Sequence, residues 1–528
     1  PRLSLQWFLK LEVPAKKALA YVEDGRVKLI PDKYRNTYRH WMETARDWCI
    51  SRQLWWGQQI PAWYLPGGEI IVAATAEEAL KLARKKDPSL TEKDIKQDPD
   101  VVDTWFSSWL WPISVFDPGK PGHPKKTPNE ELSYYYPTDD LVTAPDILFF
   151  WVARMIMAGD MYCQDKPFSN VYLTGMVRDK LGRKMSKSLG NSPDPIELMN
   201  KYGADGVRMG LMLCTSAGND ILFDESQVEQ GRNFCNKIWN AYRLVRSWKR
   251  DTTLPLEETS GQAIKWFRQL LAYTRVEADD LFSKFRLSEA LMLLYKRFWD
   301  DFCSWYLEII KPVGYGKKKI DVATYDTTLE FFDILLHMLH PFMPFITEEL
   351  WQNLYKRQDG ESIMVSTVPG TGSFKQEELE EFTRLQELIV SIRGLRQKKQ
   401  IPGKTELKLY VKGKFAGNLY GIAKRMGGLQ EVVPVTETPG DGNVYSFLIG
   451  TTEFFIPLGE LLDTREERSK INGELEYYHN FLATVEKKLN NPNFVLRAPE
   501  QVVAIEQKKR SDALAKIAAL EQQLSSLQ

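Results

Sequence analysis

Residues 170–191 read NVYLTGMVRDKLGRKMSKSLGN, and they join an apolar segment to a loop rich in positive charge. The apolar segment, residues 170–177, predicts a strand. Arg183, Lys184 and Lys187 then place three positive charges within five residues, with a glycine on either side of the group. In an α/β sheet, a basic loop between a strand and a helix faces the crevice where anionic ligands bind. Taken alone, the loop is equally typical of a solvated surface turn.

The segments around the loop alternate between strand and helix patterns. Residues 140–143 form a short apolar run that predicts a strand, and DILFFWVARMIMAG, residues 146–159, predicts an apolar helix that ends at Gly159. Two further helices are predicted after the loop, over about 193–202 and 205–213. Such alternation predicts a parallel sheet covered by helices.

The bulk composition limits the classes of function. The chain has 528 residues, which suggests several domains. Lys plus Arg and Asp plus Glu each total 70, so the formal net charge is zero and any nucleic-acid contact must use local patches. No apolar run of about 18 residues or more appears, so no membrane span is predicted. The five cysteines include no CxxC pair, which predicts neither disulfides nor a zinc site and suits a reducing cytoplasm.

Three changes of pattern divide the rest of the chain. Residues 226–390 carry long amphipathic stretches with almost no strand signal, which predicts a helical bundle. Residues 391–459 change to alternation, and three apolar residues of TELKLYV, 405–411, share one face, so a small α+β unit is predicted. In residues 460–528 the apolar positions step by four and three on both sides of NNPNFVLRAP, residues 490–499. That pattern predicts an antiparallel coiled-coil hairpin.

Several motifs together resemble the class I aminoacyl-tRNA synthetases. The basic loop contains KMSKS, residues 184–188, and the resemblance extends over residues 173–208. DTWFSSWLWP at 103–112 and DILFFWVARM at 146–155 resemble the valine-specific branch of that family. Three further segments resemble the same branch: the Trp-rich stretch 47–64, HPFMPFITEELW at 340–351, and the C-terminal hairpin. The resemblance covers essentially the whole chain, and its motifs are specific.

The resemblance implies a multidomain protein of α/β plus all-α class. It implies an editing-domain exit remnant and linker in residues 1–30. Residues 31–225 are then the C-terminal part of the catalytic domain, the second half of a Rossmann-like nucleotide fold. Residues 226–390 correspond to a helical anticodon-binding domain, 391–459 to a small α+β junction, and 460–528 to a coiled-coil tRNA-binding arm.

The resemblance also implies roles for the residues of the loop. Lys184 and Lys187 are the expected catalytic residues, and both are expected to contact the ATP phosphates. Lys187 is expected to stabilise the transition state. Met185, Ser186 and Ser188 complete the expected ATP-binding loop, with the two serines shaping it. From the residues alone, two mobile lysines can neutralise charge that develops on a phosphoryl group.

Three residues outside the loop have two interpretations each. Asp146 matches the acidic position that holds the ATP ribose in the family, but after Pro145 it also reads as an N-cap. Trp105 and Trp151 match the two tryptophans that wall the amino-acid side chain, and each also reads as ordinary core. Two rigid rings can shape a slot for one branched aliphatic side chain.

The implied reaction is ATP-dependent activation of L-valine and its transfer to tRNA(Val), with Mg²⁺ accompanying ATP and a monomer as the expected state. One departure from the family limits this expectation. The family's second signature, His-x-Gly-His or close to it, occurs nowhere in the chain, which has five histidines. We therefore expect a C-terminal fragment that lacks the first half of the nucleotide fold and most of the editing domain, and that does not activate valine alone.

RNA contacts are less defined by the sequence. Lys508, Lys509 and Arg510 form a local basic run on the predicted arm, and they read either as phosphate contacts or as a solvated face. A rival interpretation of the whole chain is a tRNA-binding module without catalysis. The intact KMSKS segment and the two pocket tryptophans favour an enzyme, because a pure binding module has no use for them.

Overall fold

The computed structural model describes residues 4–116, 129–215, 218–312, 319–439, 444–458, 464–490 and 500–525. The chain forms two compact units. The first comprises residues 1–242, 274–299 and 333–369, and the second comprises residues 243–273, 300–332 and 370–528.

A three-stranded parallel sheet lies at the centre of the first unit. Its middle strand, Phe168–Leu173, pairs with Lys28–Ile30 on one side and with Thr138–Thr143 on the other. Val171, fully buried, stands beside Leu29 and Leu141 in the register. The predicted parallel sheet and its strand at 140–143 are therefore confirmed.

One continuous helical segment follows the edge strand. It begins with a 3₁₀ turn at Pro145–Ile147, continues as a π turn at Leu148–Ala153 and an α turn at Arg154–Ala158, and closes with a π turn at Gly159–Cys163. The prediction that this helix ends at Gly159 is wrong. A Cβ at Gly159 would lie 2.7 Å from the Tyr136 hydroxyl, so this glycine permits close packing and does not terminate the helix.

The strand predicted over 170–177 is interrupted. It ends at Leu173, and a separate strand, Val177–Arg178, pairs in parallel with Ile221–Leu222. The break follows from a close approach of two backbones, since a Cβ at Gly175 would lie 1.7 Å from the Asn219 carbonyl oxygen. The two helices predicted after the basic loop are confirmed at Pro195–Tyr202 and Ala204–Leu213.

Short elements surround the sheet. A small antiparallel sheet is built from Ala62–Tyr64, Ile70–Val72 and Lys96–Gln97, and the helix Ala76–Arg84 packs against it. The remaining helices of this region are Glu12–Glu23, Tyr34–Glu43, Thr104–Ser108, Trp111–Ser114 and Glu130–Tyr135. The remaining short strands are Phe8–Leu9, Trp48–Cys49, Ser51–Arg52 and Val101–Val102.

The predicted helical bundle is largely helical but contains one small sheet. Lys249–Asp251 and Lys319–Asp321 form a two-stranded parallel pair, so the expectation of almost no strand is corrected. Strands of three residues are too short to produce a periodic pattern in the sequence. The helices of this region are Glu225–Arg246, Glu258–Ser283, Leu287–Lys296, Arg297–Tyr306, Leu307–Ile310, Val322–Leu339, Pro344–Leu354 and Gln376–Lys398.

The predicted α+β unit is a four-stranded sheet with one helix. The strands lie in the order Leu429–Pro434, Leu407–Lys412, Thr452–Pro457 and Val444–Ile449, and the helix is Tyr420–Gly427. Leu407, Leu409 and Val411 are all buried, which confirms that these three residues share the inner face.

The C-terminal arm is a pair of long helices, Thr464–Leu489 and Glu500–Ser525. Leu475, Ile517 and Leu520 form its buried stripe. Two ion pairs give the relative direction of the helices: Glu486 pairs with Arg510, and Lys488 pairs with Glu506. The residue number rises along the first helix while that of its partner falls along the second. The helices therefore run antiparallel, as the heptad pattern predicts. The turn between them, residues 491–499, lies outside the described residues.

Candidate active-site elements

The basic loop is held at its base by the carboxylate of Asp179. One carboxylate oxygen accepts the backbone N–H of Leu181 at 3.0 Å and that of Arg183 at 2.9 Å. The other oxygen accepts Nε of Arg183 at 2.8 Å and the side-chain amide of Asn191 at 2.9 Å. The hydrogen bond from Asn191, followed by those from Arg183, lowers the pKa of Asp179 to about 2. Asp179 is therefore ionised at neutral pH and joins both ends of the loop.

Asn191 connects the same base to the signature residues. Its Oδ1 accepts the backbone N–H of Ser186 at 2.9 Å, and its amide nitrogen also lies 3.3 Å from the Lys184 carbonyl oxygen. The Ser186 hydroxyl lies 3.2 Å from that of Ser188, and Ser186 Oγ accepts the backbone N–H of Leu189 at 3.3 Å. Ser186 and Ser188 therefore both take part in hydrogen bonds within the loop.

The positive charges of the loop are not equivalent. The Arg183 guanidinium is paired with Asp179, whereas the Lys184 side chain is exposed and has no ion-pair partner among the residues that the structure describes. Met185 is half-buried. Lys187 begins a single 3₁₀ turn, Lys187–Leu189, but its side chain lies outside what the structure describes. Lys184 is thus a free ammonium on an anchored loop.

The loop and the residue Asp146 leave the sheet from the same edge. Leu173 pairs with Thr143 at the carboxyl ends of two adjacent parallel strands, and the next backbone N–H, of Thr174, donates to the Thr143 carbonyl at 2.8 Å. The chain then continues to the basic loop from one strand and to the Asp146 helix from the other. The carboxyl edge of a parallel sheet is where ligands bind in such folds.

Asp146 is not an N-cap. The helical segment is capped at Ala144 without a side-chain hydrogen bond, and Asp146 is the second residue of its first turn. Its side chain is exposed. Asp146 therefore makes no capping hydrogen bond for this helix, so the N-cap interpretation of this residue is wrong.

The two candidate pocket tryptophans pack on one hydrophobic cluster but face different neighbours. Trp105 lies in the short helix Thr104–Ser108, stacks on Phe150 with ring centroids 6.3 Å apart, and lines a cavity of about 530 Å³. Trp151 does not line that cavity. Its indole N–H donates to the Ser108 carbonyl at 3.1 Å, and its ring lies 5.7 Å from that of Trp111. Both rings are half-buried, so neither is sealed in the core.

Asp103 fixes the helix that carries Trp105. Its carboxylate accepts the backbone N–H of Trp105 at 3.3 Å as the N-cap, and it also accepts the indole N–H of Trp48 and the Arg52 guanidinium at 3.0 and 2.8 Å. This role, like those of Asp179 and Asn191, was not predicted from the sequence. An Asp or Asn beside a loop or a helix start is the signal that could have found all three.

The basic run on the arm is mostly paired within the arm. Lys509 donates to Glu506 at 2.7 Å, and Arg510 donates to Glu486 at 3.1 Å. Lys508 is exposed and has no ion-pair partner in the described part of the chain. Only Lys508 of the three is therefore free to meet a ligand without breaking an existing ion pair.

Within the described residues, no group of three or more His, Cys, Asp or Glu side chains is arranged to hold a metal ion. No helix in the described part is long and apolar enough to span a membrane.

Family models match three successive parts of the chain. Residues 1–224 match tRNA synthetases class I (I, L, M and V), residues 265–411 match the anticodon-binding domain of tRNA ligase, and residues 463–528 match the valyl tRNA synthetase tRNA binding arm. The loop, the sheet edge and both tryptophans fall within the first match. Residues 1–224 are therefore similar to the class I tRNA synthetases.

Within that class, the chain is similar along its whole length to proteins named valine–tRNA ligase. It is 57% identical to the one from Porphyromonas gingivalis and 54% identical to the one from Parabacteroides distasonis, with all of the chain and 60% of each relative covered. The chain thus spans about 60% of the length of the curated relatives it matches. The chain is also similar to a solved structure of methionyl-tRNA synthetase from Mycobacterium tuberculosis in complex with methionyl-adenylate. The identity is 19% and the TM-score is 0.49, with 70% of the chain and 67% of that protein covered.

Proposed function

We propose that this chain supplies the KMSKS half of a valine–tRNA ligase, which activates L-valine with ATP and transfers it to tRNA(Val). The observation that carries the proposal is the free Lys184 on a loop anchored by Asp179 and Asn191, at the carboxyl edge of the parallel sheet. The similarity to valine–tRNA ligases supports the substrate assignment.

In this proposal the loop binds and neutralises the ATP phosphates. Lys184 and Lys187 are the catalytic residues, and Met185, Ser186 and Ser188 complete the ATP-binding loop. Asp146, exposed at the start of its helix, is the proposed partner of the ATP ribose. The valine carboxylate attacks the α-phosphate in line and pyrophosphate leaves, so the two lysines act by stabilising charge on phosphate oxygens.

Trp105 and Trp151 are the proposed walls for the valine side chain. The Asp103 cap and the hydrogen bond from Trp151 to Ser108 tie both rings to the helix Thr104–Ser108. A rigid aromatic slot of this kind excludes a larger aliphatic side chain by steric contact.

Mg²⁺ is proposed to arrive with ATP. Because the described residues hold no cluster of three metal-ligating side chains, ATP phosphate oxygens would be its main ligands. The cation would lower the charge repulsion between the phosphates. We further propose a monomer that works in the cytoplasm, where the thiols of its five cysteines remain reduced.

We propose that the five segments predicted from the sequence are separate domains or parts of domains, each with its own role. Residues 226–390 are the proposed anticodon-binding domain, 391–459 the junction, and 460–528 the tRNA-binding arm, with Lys508 as the proposed phosphate contact. Residues 1–30 are the proposed editing-domain remnant, and 31–225 the catalytic part.

A chimera tests the function. The chain replaces the matched region of the Porphyromonas gingivalis relative, and valine-dependent ATP–pyrophosphate exchange is measured. We expect the chimera to exchange, and Lys184→Ala or Lys187→Ala to lower the rate by about 10²-fold, the usual effect of removing one transition-state charge contact.

The chain alone provides the comparison. Because it contains no His-x-Gly-His, it is expected to show no exchange. Robust exchange by the chain alone contradicts the half-site assignment. An inactive chimera, combined with tRNA binding by the chain, favours the rival tRNA-binding module.

A further inference from the structure

The imidazole of His337 is buried and is hydrogen-bonded through both of its ring nitrogens. Its side chain is 4% exposed and lies near the end of the helix Val322–Leu339. Nδ1 faces two oxygens of Asp333, the backbone carbonyl at 2.9 Å and the carboxylate Oδ1 at 3.4 Å. Nε2 lies 2.8 Å from Oγ of Ser366, the residue that follows the 3₁₀ turn Ile363–Val365. His337, Asp333 and Ser366 all belong to the first compact unit.

These contacts are all satisfied in one protonation state of the ring. A carbonyl and an ionised carboxylate only accept hydrogen bonds, so Nδ1 must carry a proton. The Ser366 hydroxyl lies 3.0 Å from the Ile363 carbonyl oxygen, and it can donate there only if it accepts from Nε2 of His337. Both ring nitrogens then donate, and His337 is an imidazolium. In the neutral ring, Nε2 accepts the Ser366 hydroxyl proton instead, and the Ile363 carbonyl loses that donor.

The groups around His337 together favour the imidazolium. Burial acts to lower the pKa of His337, but the hydrogen bonds and the charge of Asp333 outweigh it and hold the pKa above its ordinary value of 6.5. Arg357 opposes the charged form. From the following helix, the uncharged ring of Trp351 faces the imidazole, with ring centroids 6.2 Å apart. Burial lowers the pKa of His340, so that ring adds little positive charge near neutral pH.

The turn Ile363–Val365 has little apolar anchoring. Ile363 is 3% exposed, but Met364 and Val365 are 74% and 84% exposed. One buried side chain therefore supplies most of the apolar stabilisation of the turn, and hydrogen bonds at its two ends must supply the rest. A change in one of those hydrogen bonds is expected to change how often the turn opens.

A serine stands at each end of the turn and contacts a different partner. Ser362 donates to Glu348 at 2.7 Å, and Ser366 contacts His337 at 2.8 Å. Burial acts to raise the pKa of Glu348, but hydrogen bonds from Ser362 and Gln352 hold it below its ordinary value, so Glu348 stays ionised across the neutral range. Histidine changes its charge in that range. Of the two ends, the His337 end is therefore the one that responds to pH near neutrality.

We propose that the contact between His337 and Ser366 is a pH-sensitive switch: protonated His337 holds the turn Ile363–Val365 against its helix, and neutral His337 loosens it. Hydrogen bonds from a charged donor are about twice as strong as neutral ones. Because folding raises the pKa of His337, the stabilisation is complete below about pH 6.5 and is lost as the pH rises through the higher folded value. The switch is separate from the proposed ligase function, since it uses none of the residues assigned to that reaction.

Two measurements on the intact wild-type chain test the switch between about pH 5.5 and about pH 9, a range that includes the titration of histidine. NMR of nitrogen-labelled histidine rings follows His337, whose signal is assigned by its loss in His337→Gln. Its midpoint should lie above 6.5. Hydrogen exchange follows the amides of Val365 and Ser366, which donate to the carbonyls of Ser362 and Ile363. After correction for the intrinsic pH dependence of exchange, their protection should fall about tenfold as the pH rises.

Matched serine variants assign the effect to one end of the turn. Ser366→Ala removes the contact with His337, so protection of the turn should be low at every pH and its pH dependence should disappear. Ser362→Ala is the control, because it removes the contact with Glu348 at the other end. It should lower protection by the same factor across the range and leave the pH dependence in place.

The wild-type chain alone can overturn the proposal, so the test does not depend on the variants folding. A His337 midpoint at or below 6.5 overturns it, and so does protection of the turn that stays constant with pH. A pH dependence that survives in a folded Ser366→Ala variant also overturns it, because the contact would then not be its source.

Discussion

The side-chain amide of Asn191 donates to the Asp179 carboxylate at 2.9 Å and so joins the two ends of the basic loop across twelve residues of sequence. The same Asn191 side chain accepts the Ser186 backbone N–H. Hydrogen bonds within the chain therefore hold the loop without any ligand.

Removing the Asn191 side chain should loosen the loop. Asn191→Ala deletes the acceptor of the Ser186 N–H, and one such hydrogen bond contributes about 1 kcal/mol, so amide exchange at Ser186 should accelerate about fivefold. Hydrogen exchange followed by NMR measures this. Asn191→Asp is the control that keeps an acceptor oxygen but places it beside Asp179. Unchanged exchange at Ser186 in the alanine variant contradicts the proposed anchor.

The Asp179 carboxyl should titrate near pH 2. Its pKa is lowered from 3.8 to about 2 in the folded chain, so the stabilisation of the loop is fully present above about pH 4 and is lost as the pH falls through 2. NMR of the labelled carboxyl carbon gives the midpoint. In Asn191→Ala the midpoint should rise, because the largest contribution to the shift is gone. A wild-type midpoint at 3.8 rules out the anchoring role.

Asp103 should be far more important for stability than an ordinary helix cap. Asp103→Ala leaves the Arg154 charge buried without a carboxylate and removes a cap, so we expect a loss of about 3 kcal/mol or more. Asp194→Ala is the matched control. Asp194 caps the helix Pro195–Tyr202 at an exposed position, and its loss should cost about 1 kcal/mol. Denaturant unfolding monitored by tryptophan fluorescence compares the two, and equal losses refute the buried-charge argument.

The arm depends on its buried stripe. Ile517→Ala removes a side chain that is 6% exposed between the two helices and should destabilise the arm by about 2–4 kcal/mol. Leu514 lies on the same helix but is 45% exposed, so Leu514→Ala should change stability by less than about 0.5 kcal/mol. Thermal unfolding followed by circular dichroism distinguishes them. If both variants melt alike, the stripe does not hold the arm.

Lys508 should be the charge of the basic run that matters for tRNA. Lys508→Glu is expected to weaken tRNA binding and to reduce the salt slope by about one, as loss of one phosphate contact does. Lys81→Glu, an exposed reversal on the helix Ala76–Arg84, is the control and should have no effect. Filter binding across a salt series measures both. Identical slopes for wild type and Lys508→Glu remove Lys508 from the interface.

The sequence predicted elements with clear periodicity and missed contacts between distant residues. The parallel strands, the two helices after the loop, the inner face of Leu407 and Leu409, and the antiparallel arm all follow from local patterns, and the structure confirms them. The predicted helix end at Gly159 is wrong because this glycine is needed for close packing against the Tyr136 hydroxyl. The sequence alone does not show that Tyr136 lies beside it. The strands Lys249–Asp251 and Lys319–Asp321 were not predicted, because three residues are too few to produce a periodic pattern.

In the candidate site, too, local motifs could be predicted from the sequence and contacts between distant residues could not. The KMSKS motif and the tryptophans were recognisable as a pattern of residue types. The shared Asp103 carboxylate was not, because Arg52 and Arg154 approach it from positions about 50 residues away on either side. Electrostatic balance of this kind exists only after folding, and no local pattern encodes it.

The antiparallel arm has a further consequence for geometry. Each of its helices has 26 residues, so at about 1.5 Å per residue the pair extends about 39 Å. Because its stripe repeats every seven residues, removing one heptad from each helix keeps the packing in register and shortens the reach by about 10 Å. The length of the arm can therefore change in steps of about 10 Å while the buried stripe between its helices stays in register.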